Sequence, residues 1–260
     1  MEDKTPRILL VDDDELSRRM MELVLSGEGY RYETASNGIE AVDAVQSQAF
    51  DIVLMDLQMP LMDGFEAART IRDNEAENEH TPIVALTAML FEDEIKRCLS
   101  AGMDECITKP INTDQLFRLI ESYMNKSKET TTLTEAQEEK IDETTVLDIQ
   151  GALPRFGRDI QVYQEFLDEF IEGLPEKVNQ FQTAFHSGDY QILADSAHNL
   201  KGMSASMGAK QLSHLSLILD QTSQTGDKLL IQQALDEIQE NINDFASKAK
   251  KLLSEFAEKL

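Results

Sequence analysis

The feature that most constrains the fold is an alternation of short apolar runs with stretches of helical spacing across residues 1–125. Five runs have the length and composition of buried strands, and amphipathic stretches separate them. Strands that alternate with helices in this way form a parallel sheet covered by helices on both faces. This segment therefore predicts a (βα)5 doubly wound α/β domain. The five runs are RILLV, YRYETA, DIVLM, PIVALT and ECIT.

Polar side chains occur where four of these predicted strands end. The carboxyl ends of parallel strands meet at one edge of a sheet, so we expect these side chains to converge. Clustered carboxylates repel one another unless a cation joins them, and an all-oxygen site suits a hard divalent ion, Mg²⁺ above all, or Mn²⁺. The residues are Asp12, Asp13 and Asp14 after the first run, Asp56 after the third, Thr87 at the end of the fourth, and Lys109 after the fifth.

Such a cluster is suited to phosphoryl chemistry. With a metal ion and the Lys109 ammonium present, Asp56 can attack a phosphoryl group, because the oxygens of the resulting acyl phosphate are neutralised from two sides. The Thr87 hydroxyl could donate to one of those oxygens. Each residue taken singly has an ordinary structural explanation, such as a helix N-cap or a loop Lys-Pro dipeptide. Together they favour a phosphoryl-accepting site.

The motifs that contain these residues resemble the response-regulator receiver domain over about residues 5–125. They read ILLVDDDELSR, DIVLMDLQMPLMDGFEAARTIR, PIVALTA and ITKPI. The resemblance implies a flavodoxin-like fold with Asp56 as the phosphoacceptor, and it implies a receiver that catalyses its own phosphorylation and slow dephosphorylation. The Mg²⁺ ligands that it implies are Asp13 and Asp56 directly, Asp12 through water, and the backbone carbonyl of Gln58.

The same resemblance implies a switch role for Thr87 and a phosphate-pairing role for Lys109. Members of the family usually carry an aromatic residue three positions before the lysine, and its rotation accompanies the switch. Cys106 stands there in this chain. We therefore expect any change that the switch causes on the surface of the fourth helix and fifth strand to be smaller, or to arise by a different mechanism.

The back half of the chain has helical spacing nearly throughout. Four long amphipathic stretches over residues 146–260 predict an antiparallel four-helix bundle. Pro175 lies inside the first stretch, where we expect a kink or a break. Residues 126–145 have almost no apolar periodicity and predict a flexible acidic linker between the two domains. The helices are predicted to meet at Gly188, Gly208 and Gly226.

His198 lies on the second helical stretch. A helical wheel places it away from the apolar stripe, so we expect it to face outward. Gly202 costs a helix interior about 1 kcal/mol relative to alanine, which suggests that something large approaches the imidazole. Lys201 could pair with an incoming phosphoryl group; an idle surface histidine is the alternative. The stripe predicted to face the bundle is Leu193, Ala197, Leu200, Ser204 and Met207, and the face shared with His198 is Ala194, Lys201, Gly202 and Ala205.

The stretch AHNLKGMSASMGA, with ALPRFGRDIQVYQEFLDEF upstream, is similar to the histidine phosphotransfer (HPt) domain over about residues 146–255. The resemblance implies His198 as a phosphoacceptor supported by Lys201 and Gly202. Met203 stands where a small residue is usual, which predicts a less flat docking surface.

The two resemblances together imply a two-component phosphorelay intermediate. An upstream histidine kinase would phosphorylate Asp56, and His198 would exchange phosphoryl groups with a receiver aspartate, either its own or that of a downstream response regulator. A linker of this length would allow transfer within one molecule. The alternatives are a receiver that gates a bundle serving other partners, a non-catalytic signalling scaffold, and an aspartyl-phosphate hydrolase. The hydrolase would need an acid where Gln58 stands.

Composition excludes other classes. The net charge of −25 opposes binding to nucleic acid and to acidic membranes. No apolar run is long enough to span a bilayer and the N-terminus is no signal peptide, so we expect a soluble, cytoplasmic protein without membrane insertion. No Gly-rich nucleotide-binding segment is present, which predicts a phosphotransfer intermediate rather than an autonomous kinase.

Two further expectations concern the cysteines and the start of the chain. Cys98 and Cys106 fall in no metal-binding spacing, so we expect reduced thiols that serve packing. Met1 is followed almost directly by the first predicted strand, which suits a free-standing protein. The alternative is a piece cut from a longer hybrid kinase.

Overall fold

A computed structural model of the protein describes residues 5–76, 80–87, 92–125 and 145–258. These residues form two compact units, one before and one after residues 126–144. The first unit is α/β and the second is helical, so the predicted fold class is confirmed. The predicted linker over 126–145 lies outside the described residues, except for Thr145.

The first unit is built on a five-stranded parallel sheet with the order β2-β1-β3-β4-β5. The strands β3 and β4 are buried along their whole length, and β1 nearly so, as expected for central strands with helices on both faces. The connection that follows β1 leads to β2 on one side of the sheet, and the connection that follows β3 leads to β4 on the other side. These connections leave the adjacent strands β1 and β3 in opposite directions, which opens a crevice at the carboxyl ends of the two strands. The strands are β1 Arg7–Val11, β2 Arg31–Ala35, β3 Ile52–Asp56, β4 Ile83–Thr87 and β5 Glu105–Thr108.

Five helices cover the two faces of this sheet, and an apolar layer lies beneath the helices on each face. Four of the helices begin at an Asn or Asp whose side chain accepts a hydrogen bond from a backbone N–H in the first turn. Such caps satisfy donors that the helix itself leaves unpaired. The helices are α1 Glu15–Gly27, α2 Gly38–Ser47, α3 Gly64–Asn74, α4 Glu92–Ser100 and α5 Thr113–Met124.

The second unit contains four long helices after a short helix and a 3₁₀ turn. Each long helix packs against two others, in the cyclic order α7, α8, α9, α10, so the four close around one apolar core. The short joints make consecutive helices antiparallel. None of the described helices is long and apolar enough to cross a membrane. The elements are α6 Ile149–Ala152, the 3₁₀ turn Leu153–Phe156, α7 Ile160–Ser187, α8 Tyr190–Ser206, α9 Lys210–Thr225 and α10 Lys228–Ala257.

The helix boundaries fall at the three predicted joints. Gly188, Gly208 and Gly226 have φ values of +74°, +78° and +70°, a left-handed conformation that glycine adopts without the steric cost of a Cβ atom.

The helix α7 continues through Pro175 without interruption, so the prediction of a break at this position is wrong. A proline costs a helix interior roughly 3 kcal/mol. Ile171, Leu174 and Phe181 on either side of it are buried in the bundle, and this burial holds the helix together.

Candidate functional sites

The carboxyl ends of β1 and β3 bring three carboxylates together. Asp12, Asp13 and Asp56 each offer an oxygen, and these oxygens lie within 4.8 Å of one another. The Lys109 ammonium reaches the same cluster, with Nζ 2.8 Å from Asp12 Oδ2 and 2.6 Å from Asp56 Oδ2. Four of the residues singled out from the sequence therefore share one site.

The register of the sheet explains this convergence. Val11 pairs with Met55 in the β1–β3 ladder, so the residues that follow them, Asp12 and Asp56, leave neighbouring strands at the same level. Asp14 has a different task, since its carboxylate accepts the Ser17 N–H at 2.9 Å and caps α1. Helix capping, an ordinary structural role, thus accounts for Asp14.

The cluster carries more negative charge than one ammonium offsets. Burial, together with the carboxylates of Asp56, Asp12 and Asp14, raises the pKa of Asp13 to about 7, and Lys109 lowers it only in part. Burial also raises the pKa of Asp56, against the opposing effect of Lys109. Burial disfavours the charged form of Lys109, but Asp12 and Asp56 outweigh it and raise the pKa of the ammonium. A further cation at this site would relieve the repulsion.

Gln58, two residues after Asp56, has a buried polar atom without a hydrogen-bond partner among the described residues. Its backbone N–H donates to Asp56 Oδ1 at 3.2 Å. Its side-chain oxygen Oε1 is buried and accepts no hydrogen bond from the residues described here. The expectation from resemblance concerned the backbone carbonyl of Gln58, and it stays a prediction. The three carboxylates offer only oxygen donors, which fit a hard divalent ion.

Thr87 and Cys106 lie on the two strands beyond Asp56. Thr87 is the buried last residue of β4, and its carbonyl accepts the Lys109 backbone N–H at 2.6 Å. Cys106 is buried in β5 opposite Ala85. Both cysteines of the chain are reduced and buried, as expected.

The second site surrounds His198 on α8. The five residues of the predicted apolar stripe are all buried. His198 itself does not simply face outward, since its side chain is only 16% exposed and its Nδ1 lies 3.0 Å from Asp220 Oδ2 on α9. An ionised carboxylate can only accept a hydrogen bond, so this contact favours the neutral tautomer with the proton on Nδ1 and the lone pair on Nε2.

Asp220 is the site residue that the sequence did not single out. It is buried, and its second oxygen Oδ1 accepts Gln224 Nε2 at 2.7 Å. The available signal was its spacing, because Asp220 lies on the buried stripe of α9 with Ser216 and Ser223. An acid on such a stripe requires a partner. Asp195, one turn before His198, is a second acid near the ring, and burial raises its pKa although a hydrogen bond from Gln191 lowers it.

The surface beside His198 differs in two ways from expectation. Lys201 and Gly202 are partly exposed as expected. Ala194 is buried, because it lies next to Leu193 on the apolar side of the helix. Met203 is also buried, one turn before Met207, so the prediction that it roughens the docking surface is wrong.

Two family models match the chain. Residues 8–121 match the response regulator receiver domain, and residues 165–248 match the Hpt domain. The first range contains the carboxylate cluster and Lys109, and the second contains His198 and Asp220.

Several known proteins are similar to the chain. The sensor histidine kinase GacS of Pseudomonas protegens is 30% identical over 257 residues, which cover 95% of this chain and 27% of GacS. The hybrid signal transduction histidine kinase B of Dictyostelium discoideum is 40% identical over 134 residues, which cover 47% of this chain and 7% of that protein. The chain thus spans a minor part of the length of both relatives.

Among solved structures, the receiver domain of the sensor histidine kinase PA1611 from Pseudomonas aeruginosa PAO1 is 34% identical. The match covers 47% of this chain and 99% of that domain, with a TM-score of 0.44. That domain was crystallised with a magnesium ion coordinated in its active site cleft.

Proposed function

The chain joins a response regulator receiver domain to an Hpt domain, and from this we propose that it is a phosphorelay intermediate. Asp56 accepts a phosphoryl group from the phosphohistidine of an upstream histidine kinase. His198 exchanges phosphoryl groups with a receiver aspartate, either Asp56 or that of a downstream response regulator. One observation supports the proposal: each of the two candidate acceptors contacts a side chain that could assist transfer, Asp56 contacting Lys109 and His198 contacting Asp220.

In the first transfer an oxygen of Asp56 attacks the phosphorus of the donor. The P–N bond of the donor phosphohistidine breaks, and its electron pair returns to the donor imidazole. Lys109, 2.6 Å from Asp56 Oδ2, can pair with the incoming phosphoryl oxygens. Asp12, Asp13, Asp56 and Gln58 would hold Mg²⁺ or Mn²⁺, which supplies neutralisation of phosphoryl charge when bound. Thr87, at the end of the adjacent strand, would donate its hydroxyl to the acyl phosphate.

In the second transfer His198 Nε2 attacks the phosphorus of an acyl phosphate. The bond between phosphorus and the carboxylate oxygen breaks, and the aspartate leaves as a carboxylate. Asp220 accepts the hydrogen bond of Nδ1–H and offsets the positive charge that develops on the ring. Lys201, one turn from His198, can pair with the phosphoryl oxygens, and Gly202 leaves room for the partner domain.

The proposal defines the partners and the class of protein. The phosphoryl donor is a phosphohistidine or a small phosphodonor, and no step of this chain uses ATP. The chain is then a phosphotransfer protein that binds histidine kinases and receiver domains, rather than a kinase. The location that we propose, as expected from the sequence, is the cytoplasm.

Loading with acetyl phosphate and Mg²⁺ tests this function. Intact mass before and after acid or base treatment distinguishes acid-labile phosphohistidine from base-labile acyl phosphate. We expect wild type to gain both, and Asp56→Asn to gain neither. His198→Gln should keep only the acyl phosphate. Asp14→Asn is a matched control, because asparagine also caps a helix and Asp14 lies next to the cluster without belonging to it.

Two results would contradict the proposal or narrow it. If correctly folded wild-type protein gains no acyl phosphate, the proposed role of Asp56 as the phosphoryl acceptor is contradicted. Acyl phosphate without any phosphohistidine would exclude internal relay and would favour the alternative in which the receiver gates a bundle that other proteins phosphorylate.

A further inference from the structure

Ser17 lies beside the phosphoryl site, and the transfers proposed above give it no role. It stands in the first turn of α1 and is partly buried. Its hydroxyl donates a hydrogen bond to Asp12 Oδ2 at 2.9 Å. The same carboxylate oxygen accepts a hydrogen bond from the Lys109 ammonium at 2.8 Å. Two donors from different parts of the fold therefore hold one oxygen of the carboxylate cluster.

The helix α1 and the sheet fix the two partners of this hydrogen bond. The carboxylate of Asp14 accepts the Ser17 N–H at 2.9 Å and so fixes the first turn of the helix. Arg18, the next residue, donates from Nη1 to the backbone carbonyl of Asp12 at 2.6 Å. The backbone N–H of Asp12 donates to the Ala35 carbonyl on β2 at 3.2 Å. Because both backbones are held, the hydroxyl of Ser17 determines how the Asp12 carboxylate is turned.

The buried Asp12 carboxylate has little acceptor capacity left. An ionised carboxylate offers about four lone-pair directions, two on each oxygen. The Ser17 hydroxyl and the Lys109 ammonium take both directions on Oδ2. The Asp14 N–H takes one direction on Oδ1, at 3.0 Å. The remaining direction on Oδ1 is available to a cation or to a water molecule bound to it.

Lys109 is shared between two carboxylates, since its Nζ also lies 2.6 Å from Asp56 Oδ2. In the transfer proposed above, on which this inference rests, the Lys109 ammonium pairs with the oxygens of the phosphoryl group on Asp56. Asp12 must then share this ammonium with a further anion. The Ser17 hydroxyl has a single hydrogen, and it is directed at Asp12 Oδ2. It therefore continues to satisfy this oxygen while Lys109 turns to the phosphoryl group.

We propose that Ser17 is a positioning residue of the phosphoryl site. Its hydroxyl fixes the orientation of the Asp12 carboxylate, on which cation binding depends, and it allows Lys109 to turn to the phosphoryl group. Ser17 acts through Asp12 and not on the phosphoryl group itself. Loss of a hydrogen bond to a metal-binding side chain typically weakens metal binding by about 10- to 100-fold. We expect the lower end of this range, because Lys109 and the Asp14 N–H also hold Asp12.

A titration of the full-length protein with Mg²⁺, followed by backbone amide NMR signals, tests the proposal without any phosphoryl transfer. Ser17→Ala should raise the Kd for Mg²⁺ by about 10-fold, and Ser17→Thr, which keeps a hydroxyl, should restore most of the affinity. Ser26→Ala is the matched control, because Ser26 lies at the other end of α1 and donates to the Leu23 carbonyl at 3.1 Å. The same spectra show whether each variant is folded. If Ser17→Ala does not fold, Ser17→Cys replaces it, since a thiol is a weaker donor than a hydroxyl and should also raise the Kd.

Loading with acetyl phosphate at saturating Mg²⁺ tests the part of the proposal that concerns Lys109. Ser17→Ala should form acyl phosphate more slowly than wild type even when its cation site is filled, because Asp12 then competes with the phosphoryl group for the Lys109 ammonium. Equal loading rates would overturn this part.

The Mg²⁺ titration separates failure of this inference from failure of the proposed function. Equal Kd values for wild type and Ser17→Ala, no recovery of affinity in Ser17→Thr, or no binding of Mg²⁺ by wild type would each overturn the role of Ser17 in cation binding. Wild type that binds Mg²⁺ but forms no acyl phosphate would contradict the proposed function, and with it the part that concerns Lys109.

Discussion

His198 is held by a carboxylate that comes from another helix. The periodicity of α8 correctly predicted the five residues of the buried stripe, because that pattern depends on one helix alone, but it placed the buried Ala194 on the face of His198. The same pattern could not identify Asp220, since the contact depends on how α8 and α9 pack. Local sequence therefore predicts which residues are available to a site, and tertiary packing decides which of them meet.

Asp220→Asn should slow phosphorylation of His198 by roughly 10- to 100-fold. Hydrogen bonds to charged groups contribute roughly 1.5–3 kcal/mol, and an asparagine amide can also turn its NH₂ group toward Nδ1, which moves the ring proton to Nε2. The phosphoryl donor in this assay is the His198→Gln protein carrying an acyl phosphate on Asp56. The phosphoryl acceptor is the Asp56→Asn protein, with or without the additional Asp220→Asn substitution. Asp236→Asn is the control, because Asp236 also accepts a glutamine but lies exposed on α10. An unchanged rate at unchanged thermal stability would refute this role of Asp220.

The raised pKa of Asp13 predicts a pH-dependent effect of Mg²⁺. Burial, with neighbouring carboxylates, raises this pKa to about 7, so any stability that the neutral acid contributes is present at low pH and is lost as the pH rises through about 7. Mg²⁺ requires the ionised form and relieves the repulsion. We expect Mg²⁺ to raise the Tm of the receiver domain more at pH 8 than at pH 6. Asp13→Asn should remove most of this difference, and equal Mg²⁺ shifts at both pH values would contradict the assignment.

At the scale of elements, the five strands lie within one residue of the apolar runs that predicted them, and the long helices of the second unit meet at the three predicted glycines. Apolar periodicity, Asn and Asp caps and glycine joints are local signals, and they determine where each element begins and ends. Pro175 shows the limit of such signals, because burial of the surrounding residues keeps α7 continuous. The short helix α6 was not predicted, and its position depends on a contact with the joint between α8 and α9.

Gly208 makes that contact, and its substitution tests the contact. The Asp148 N–H donates to the Gly208 carbonyl at 2.8 Å, and a Cβ atom on Gly208 would lie 2.4 Å from the Asp148 carbonyl oxygen. Gly226 has a similar positive φ but no atom within 4 Å of such a Cβ. Left-handed backbone alone costs a non-glycine residue about 1–2 kcal/mol. Urea unfolding should show a larger loss for Gly208→Ala than for Gly226→Ala, and equal losses would mean that α6 shifts freely.

At the scale of the whole molecule, we propose that the chain combines two phosphoryl acceptors of complementary chemistry. A carboxylate in the receiver domain would form a reactive acyl phosphate, and an imidazole in the Hpt domain would take the group up or return it. The proposed boundaries remain 1–125 for the first domain, 126–145 for the linker and 146–260 for the second domain. Both proposed acceptors lie in long sequence motifs and could be proposed from them, whereas transfer between the two depends on an encounter that no motif encodes.

A time course of transfer tests the central claim most directly. Wild-type protein is loaded with acetyl phosphate and Mg²⁺, the donor is removed by rapid desalting, and base-labile and acid-labile phosphate are followed at two protein concentrations. A parallel sample mixes loaded His198→Gln chain with Asp56→Asn chain. We expect phosphohistidine to rise as acyl phosphate falls, with a rate that is independent of concentration if transfer occurs within one molecule. Decay of the acyl phosphate to inorganic phosphate, with no phosphohistidine in either sample, would contradict a relay between Asp56 and His198.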